Sequence, residues 1–205
     1  VITVPADKSI SHRAVMFGSI AQGITRVKNF LTAQDCVRTR DAFIQMGIEI
    51  NSKENCLEIH GKGLHGLKEP LKEIYCGNSG TTMRLLSGIL AGQNFKTILT
   101  GDESLTCRPM ARIAMPLRLM GAKIQGDYPP LVIRGGRLKA ISYDLPVASA
   151  QVKSALLLAG LYAEGTTRVT EPAPTRDHTE LMLRACGVAV ESRTGTVSLL
   201  GGQRL

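Results

Sequence analysis

The stretch AFIQMGIEINSKENCLEIHGKGL, residues 42–64, carries the plan of the whole chain. It reads as the end of an amphipathic helix, a glycine, a short alternating strand, a polar turn, a second strand and a closing Gly turn. Two later stretches repeat it: PLRLMGAKIQGDYPPLVIRGGRL at 116–138 and MLRACGVAVESRTGTVSLLGGQRL at 182–205. The helix-ending glycines Gly47, Gly121 and Gly187 stand 74 and 66 residues apart. The residue just past a helix often turns left-handed, a conformation that penalises side chains and suits glycine.

Upstream of each copy lies a second shared pattern. SHRAVMFGSIAQGITRVKNF (11–30), TTMRLLSGILAGQNFKTILTG (81–101) and SAQVKSALLLAGLYAEGTTRVTE (149–171) each read as an apolar helix, a small-residue break and a strand. Joined to the first pattern, each unit becomes strand, helix, strand, helix, strand, strand. Units at about 1–67, 68–138 and 139–205 account for the chain. The expectation is one α/β domain of three βαβαββ repeat units with pseudo-threefold symmetry. The first helix of each unit is apolar nearly all round and belongs between sheets. The second carries charge on one face and belongs outside.

Length and composition narrow the function. The 205 residues allow one large domain or two small ones, with ample core. Lys and Arg outnumber Asp and Glu by 25 to 17, a formal charge of +8 that suits polyanions or small phosphorylated substrates. Nucleic acid is disfavoured, because the basic residues are scattered singly and four Tyr, four Phe and no Trp make no stacking platform. Five cysteines (Cys36, Cys56, Cys76, Cys107, Cys186) without a CxxC pair argue against a disulfide scaffold or zinc site. The four histidines show no HExxH spacing. A reducing, cytoplasmic setting is expected. The longest apolar stretch, SALLLAGLYA, is too short to cross a bilayer, and no signal-peptide pattern is present. GKGLHG (Gly61, Gly63, Gly66) imitates a dinucleotide fingerprint, but LKEPLKE follows it rather than a helix. The equivalent GGRL and GGQRL mark it as a turn that ends the repeat.

Chemistry gathers where the apolar helices begin: DKSISHR (7–13), CGNSGTTMR (76–84) and ASAQVKS (148–154). Packed about a local threefold axis, the three N-termini can aim unpaired N–H groups and positive dipole ends at one place, which describes an anion site. Singly, Ser9, Ser79, Thr81 and Ser149 would read as ordinary N-caps; three matched clusters with Lys8 and Arg13 favour the anion. GNSGTT lacks the GK[ST] ending of a nucleotide-binding loop. Gly80 is either a plain turn glycine or room for a ligand close to the backbone. In GDESLTCRPM (101–110), Arg108 reads as a loop arginine before a helix starting at Pro109 or Met110, free to fork onto a phosphate or to be solvated. In TRDHTE (175–180), Asp177 reads as an N-cap with Glu180 as its capping-box partner, leaving Arg176 to point at the site. His178 reads as surface or capping.

KSISHR, GNSGTTMRL, GDESL..RPM, ASAQVKSALLLAGL and TRDHTE, in this order and spacing, resemble the 5-enolpyruvylshikimate-3-phosphate synthase family of enolpyruvyl transferases. The resemblance spans nearly the whole chain. It implies two similar domains of three βαβαββ units each, of the inside-out α/β barrel type. It implies a reaction without metal or organic cofactor: phosphoenolpyruvate is protonated at its methylene, the 5-hydroxyl of shikimate 3-phosphate attacks, and the tetrahedral intermediate expels phosphate. By the same resemblance Lys8 touches both substrates near the reacting centre, while Ser9 and Arg13 hold the shikimate carboxylate and hydroxyls. Ser149, the Ala150 backbone, Gln151 and Arg176 grip the shikimate phosphate. Gly80 and Arg108 bind phosphoenolpyruvate, with Gln151 nearby; the inhibitor glyphosate would also approach at Gly80.

Two departures qualify the match. The family usually has lysine before the RPM arginine, where this chain has Cys107; a cation is lost there. A related transferase acting on UDP-N-acetylglucosamine uses a loop cysteine, but further from the arginine and without KSISHR, so Cys107 is read as non-catalytic. The chain also lacks an initial Met and stops at the third repeat. The family's other domain carries the proton-transferring aspartate and glutamate and the clamp on the phosphoenolpyruvate carboxylate. Asp7, Asp102 and Asp177 read as caps or turns and do not replace them. The expectation is an N-terminal domain over 1–205 with the C-terminal domain absent, inactive alone, with no nucleic-acid or membrane partner. The alternatives are a stand-alone phosphometabolite-binding module and a nucleic-acid-binding repeat protein.

Overall fold

The computed structural model describes residues 5–53 and 56–205. The first unit holds α1 (Lys8–Ile20), β1 (Gln22–Lys28), α2 (Gln34–Gln45), β2 (Glu49–Lys53) and β3 (Cys56–Lys62). The second holds β4 (Ile74–Tyr75), α3 (Gly80–Ala91), β5 (Lys96–Thr100), the single turn α4 (Glu103–Thr106), α5 (Ala111–Leu119), β6 (Lys123–Gln125) and β7 (Leu131–Arg134). After β8 (Leu138–Lys139) the third holds β9 (Ser142–Asp144), α6 (Ala150–Gly160), β10 (Ala163–Glu164) and β11 (Thr166–Thr170). It ends with α7 (His178–Ala185), β12 (Val190–Arg193) and β13 (Thr196–Leu200).

The sheets repeat as the sequence does. The second runs β4-β5-β7-β6 and the third β9-β11-β13-β12, each with one parallel pair followed by antiparallel pairs. The first, β1-β3-β2, is antiparallel and matches the last three positions. The strand expected to open that unit falls ahead of α1, where residues 1–4 lie outside the description. Two features were not expected from the repeat: α4 forms within the stretch read as a loop, and β8 pairs with β10 in parallel. The helix after Arg108 starts at Ala111 with Met110 at its N-cap, slightly later than expected.

Helices α1, α3 and α6 are buried along nearly their full length. Side chains such as Leu85, Leu86 and Leu156 have no exposure, and each contributes about 1.5–3 kcal/mol by leaving water. Small residues set the spacing: a Cβ on Gly88 of α3 would lie 2.2 Å from the Ala155 carbonyl oxygen of α6. Helices α2, α5 and α7 bury only stripes, such as Cys36, Thr39, Ala42 and Phe43 on α2. Each ends on its expected glycine, Gly47, Gly121 and Gly187, at φ of +84°, +109° and +87°.

The imitation fingerprint has a steric explanation. A Cβ on Gly61 would stand 2.2 Å from the Gly18 carbonyl oxygen, where β3 passes the end of α1. Gly135 and Gly201 make the same kind of approach to the ends of α3 and α6, at 2.3 Å from the Leu90 and 2.8 Å from the Gly160 carbonyl oxygen. The glycines serve strand-to-helix contact.

Candidate functional site at three helix ends

The N-caps of the buried helices are Asp7, Ser79 and Ser149, spaced 72 and 70 residues apart. Each side chain accepts a hydrogen bond from the helix, from Ile10, Thr82 and Val152 N–H respectively. The first turns are tied to one another by side chains. Arg13 of α1 donates from Nη2 to Ser154 Oγ of α6 at 2.9 Å, and Gln151 of α6 donates to Thr81 Oγ1 of α3 at 2.9 Å. His12 of α1 reaches Thr82 of α3 through Thr39 of α2, at 2.6 and 2.7 Å. The three helix ends therefore converge.

Around this convergence the expected residues take distinct places. Lys8, half exposed, pairs with Asp35 at the start of α2. Ser9 Oγ accepts from Arg176 Nη1 at 3.3 Å, so the first and third units meet there as expected. Arg13 lies beneath them, 4% exposed. Its Nε donates to Thr179 Oγ1 at 2.8 Å and its Nη1 to the Ser9 carbonyl at 3.0 Å, so with the Ser154 bond three of its five N–H groups are used. Burial pulls its pKa down to about 10, against an upward pull from Glu180, so it stays charged near neutrality. Ala150 and Gly80 open α6 and α3. Arg108 donates to Asn78 and, at 3.2 Å, to Ser104 Oγ, which holds it over the start of α3. Cys107 is exposed and caps the end of α4 beside it.

Two arginines escaped the sequence reading. Arg84 and Arg112 line a cleft of about 270 Å³ with Ser149 and Gln151. Arg84 is depressed in pKa by burial and then by its cationic neighbours Arg108 and Arg112. A cluster of arginines in a partly dry cleft is an anion-binding arrangement. No helical spacing joins them in the sequence, since Arg84 lies on α3, Arg112 on α5 and Arg108 in the loop before α5.

Glu180 requires a correction. Asp177 stands at the N-cap of α7 without a side-chain cap bond, and Glu180 makes no capping box. It is 2% exposed and lies 2.6 Å from Lys153 Nζ, which also meets Glu171 at 2.7 Å. Lys153, in the first turn of the apolar-looking helix α6, is 1% exposed. A buried ammonium needs carboxylate partners, and that demand outweighs a cap at a solvent-facing helix end. His178 opens α7 half-buried, with Nδ1 enclosed and unpaired.

A three-unit α/β fold that brings three helix N-termini and several arginines together has the electrostatics of an anion site. A family model described as EPSP synthase (3-phosphoshikimate 1-carboxyvinyltransferase) matches residues 1–205, and the chain belongs to that family. It is 58% identical over 209 residues to the 3-phosphoshikimate 1-carboxyvinyltransferase of Bacillus pumilus, covering 100% of this chain and 49% of that protein. Against the Methylococcus capsulatus enzyme of the same name the identity is 59%, covering 100% and 48%. A solved EPSP synthase from Acinetobacter baumannii superposes with a TM-score of 0.97 at 57% identity, covering 100% of this chain and 47% of that one. The chain thus spans about half the length of the curated relatives it matches. Among the described residues no helix is long and apolar enough to cross a membrane.

Proposed function

We infer that this chain forms the shikimate 3-phosphate-binding half of an enolpyruvyl transferase, which moves the enolpyruvyl group of phosphoenolpyruvate onto the 5-hydroxyl and releases phosphate. The observation that carries this is the convergence of three helix N-termini with Lys8, Arg108 and Arg176 around them. Two substrates bearing several negative charges repel each other, and a cationic, pre-organised site offsets that repulsion before reaction. In this reading Ser9, Arg13, Ser149, the Ala150 backbone, Gln151 and Arg176 hold shikimate 3-phosphate. Lys8, Gly80, Arg108 and Gln151 face phosphoenolpyruvate, with Lys8 at the reacting centre. The proton-transferring carboxylates and the clamp on the phosphoenolpyruvate carboxylate come from a second domain, the partner of this one, and the setting is the cytoplasm.

The test is phosphate release from the two substrates, by this chain alone and by a protein in which it is joined to a second domain of the family. Turnover is expected only from the joined protein. Turnover by the chain alone would overturn the half-site reading. In a titration of the chain with shikimate 3-phosphate, NMR shifts are expected near Lys8, Ser149 and Arg176. Tight binding with no turnover in either form would favour a stand-alone phosphometabolite-binding module.

A further inference from the structure

The seam between α3 and α6 opens onto the arginine-lined cleft, and Gln151 is held there at both ends of its amide. Its Oε1 accepts from Arg84 Nη1 at 2.8 Å, and its Nε2 donates to Thr81 Oγ1 at 2.9 Å. The two ends of an amide are nearly alike in shape, and a hydroxyl such as that of Thr81 can donate or accept. Threonine alone would therefore leave the amide free to turn over. A guanidinium only donates, so Arg84 selects the oxygen. With the oxygen taken, what Gln151 retains for the cleft is its second N–H, a donor suited to an anion.

Arg84 reaches this position because residue 80 has no side chain. A Cβ on Gly80 would lie 2.7 Å from Arg84 Nη1, with Arg108 Nη1 at 3.5 Å from the same point. The obstructing atom is the end of a flexible side chain, so an added methyl would displace Arg84 rather than break the fold. Arg108 and Arg112 crowd the same guanidinium, which raises the value of the neutral oxygen acceptor on Gln151.

We propose that Arg84 is a positioning residue: it locks the Gln151 amide in one orientation, oxygen to Arg84 and nitrogen to Thr81, in space that Gly80 leaves open. This rests on the reading above, in which Gln151 contacts substrate. It differs from a direct role for Arg84 on the anion, because the effect of Arg84 then runs entirely through Gln151.

The first measurement needs no activity. In the ¹⁵N-labelled protein the Gln151 side-chain amide should give a dispersed, protected signal. In Arg84→Ala and in Gly80→Ala its proton exchange should quicken by about tenfold, the loss of roughly one hydrogen bond. Arg84→Lys, which keeps a donor, should restore part of the protection. An amide signal unchanged in both Arg84→Ala and Gly80→Ala would overturn the proposal. The second measurement is kinetic. Arg84→Ala and Gln151→Ala should each raise the KM for phosphoenolpyruvate by about tenfold, and the double variant should be no worse than Gln151→Ala. Additive effects in the double variant would overturn the proposal, since an arginine binding the anion itself gives them. If the joined protein releases no phosphate from the two substrates, the transferase reading fails, and the amide measurement still decides for or against Arg84.

Discussion

Between α1 and α3 the buried seam is neutral: His12 bonds to Thr39, Thr39 to Thr82, and Thr82 to Ser79 Oγ at 2.7 Å. Between α1 and α6 it is charged: Arg13 bonds to Thr179 and Ser154, and Lys153 lies one residue away between Glu171 and Glu180. Thr39 and Thr179 stand eight residues before Gly47 and Gly187, so they fill equivalent places in their units. One scaffold has thus closed the same kind of gap by two chemistries. In the charged seam two cations, Arg13 and Lys153, balance two carboxylates, Glu171 and Glu180, so the group sums to neutrality. In the neutral seam, burial pushes the His12 imidazole down to about 4, overriding the upward pull of Asp35, and keeps it uncharged near neutrality. The difference teaches that the symmetry fixes where polar atoms are needed and leaves open how their charge is cancelled.

The charged seam should be the more fragile when one member is removed. Lys153→Met leaves two largely buried carboxylates without their cation, and a loss of about 3 kcal/mol is expected in urea unfolding. Lys153→Met with Glu171→Gln and Glu180→Leu should recover much of that, because the uncompensated charge goes with the cation. No recovery would mean that packing, not charge balance, holds this seam.

The neutral seam should show itself through pH. The folded-state pKa of His12 lies below its ordinary value of 6.5, so on acidification the unfolded chain takes the proton first. The contribution is complete above about 6.5 and drains as pH falls toward about 4. Between pH 7.5 and 5 the loss should be about 2 kcal/mol. His12→Gln should flatten that limb of the stability curve. A limb equally steep in the variant would place the acid sensitivity elsewhere.

The equivalent threonines allow a sharper comparison. Thr179→Val strips a partner from the guanidinium of Arg13, and Thr39→Val strips one from neutral groups. Bonds to charged groups are worth about 1.5–3 kcal/mol and neutral ones about 0.5–1.5. Thr179→Val should therefore cost roughly 1 kcal/mol more than Thr39→Val in parallel denaturation curves. Equal costs would remove the distinction between the seams.

These seams also mark where the sequence ceased to be readable. The repeat, the three turn glycines and the caps at Asp7, Ser79 and Asp102 are local, since each depends on neighbours within a few residues. So are the motifs that carried the family. The pairings that join the units are not local: Arg13 and Thr179 are 166 residues apart, and Gln151 and Thr81 are 70 apart. No periodicity identifies such partners. Lys153 did leave a signal, as the one charge in an apolar helix that must be buried, and that calls for a carboxylate elsewhere. Glu180 was misread because a threefold offset from Asp177 satisfies the capping pattern, whereas the ammonium it meets lies on another helix.

The smallest predicted effect concerns the helix ends themselves. Asp7 caps α1 with a carboxylate, while Ser79 and Ser149 cap α3 and α6 with hydroxyls. A carboxylate at a helix N-terminus answers part of the positive dipole end that a bound anion would otherwise answer. The three ends are thus unequal, and α3 and α6 keep more of their field for a ligand. Asp7→Ser makes them alike. It should cost about 0.5 kcal/mol of stability or less, and at low salt should tighten shikimate 3-phosphate binding by about twofold, fading as screening rises. Isothermal titration at low and high ionic strength, beside a denaturation curve, reads both effects. Weaker binding in the variant would mean that Asp7 acts through the placement of Lys8 and Ser9, and that hydrogen-bond geometry outweighs charge at this end of the site.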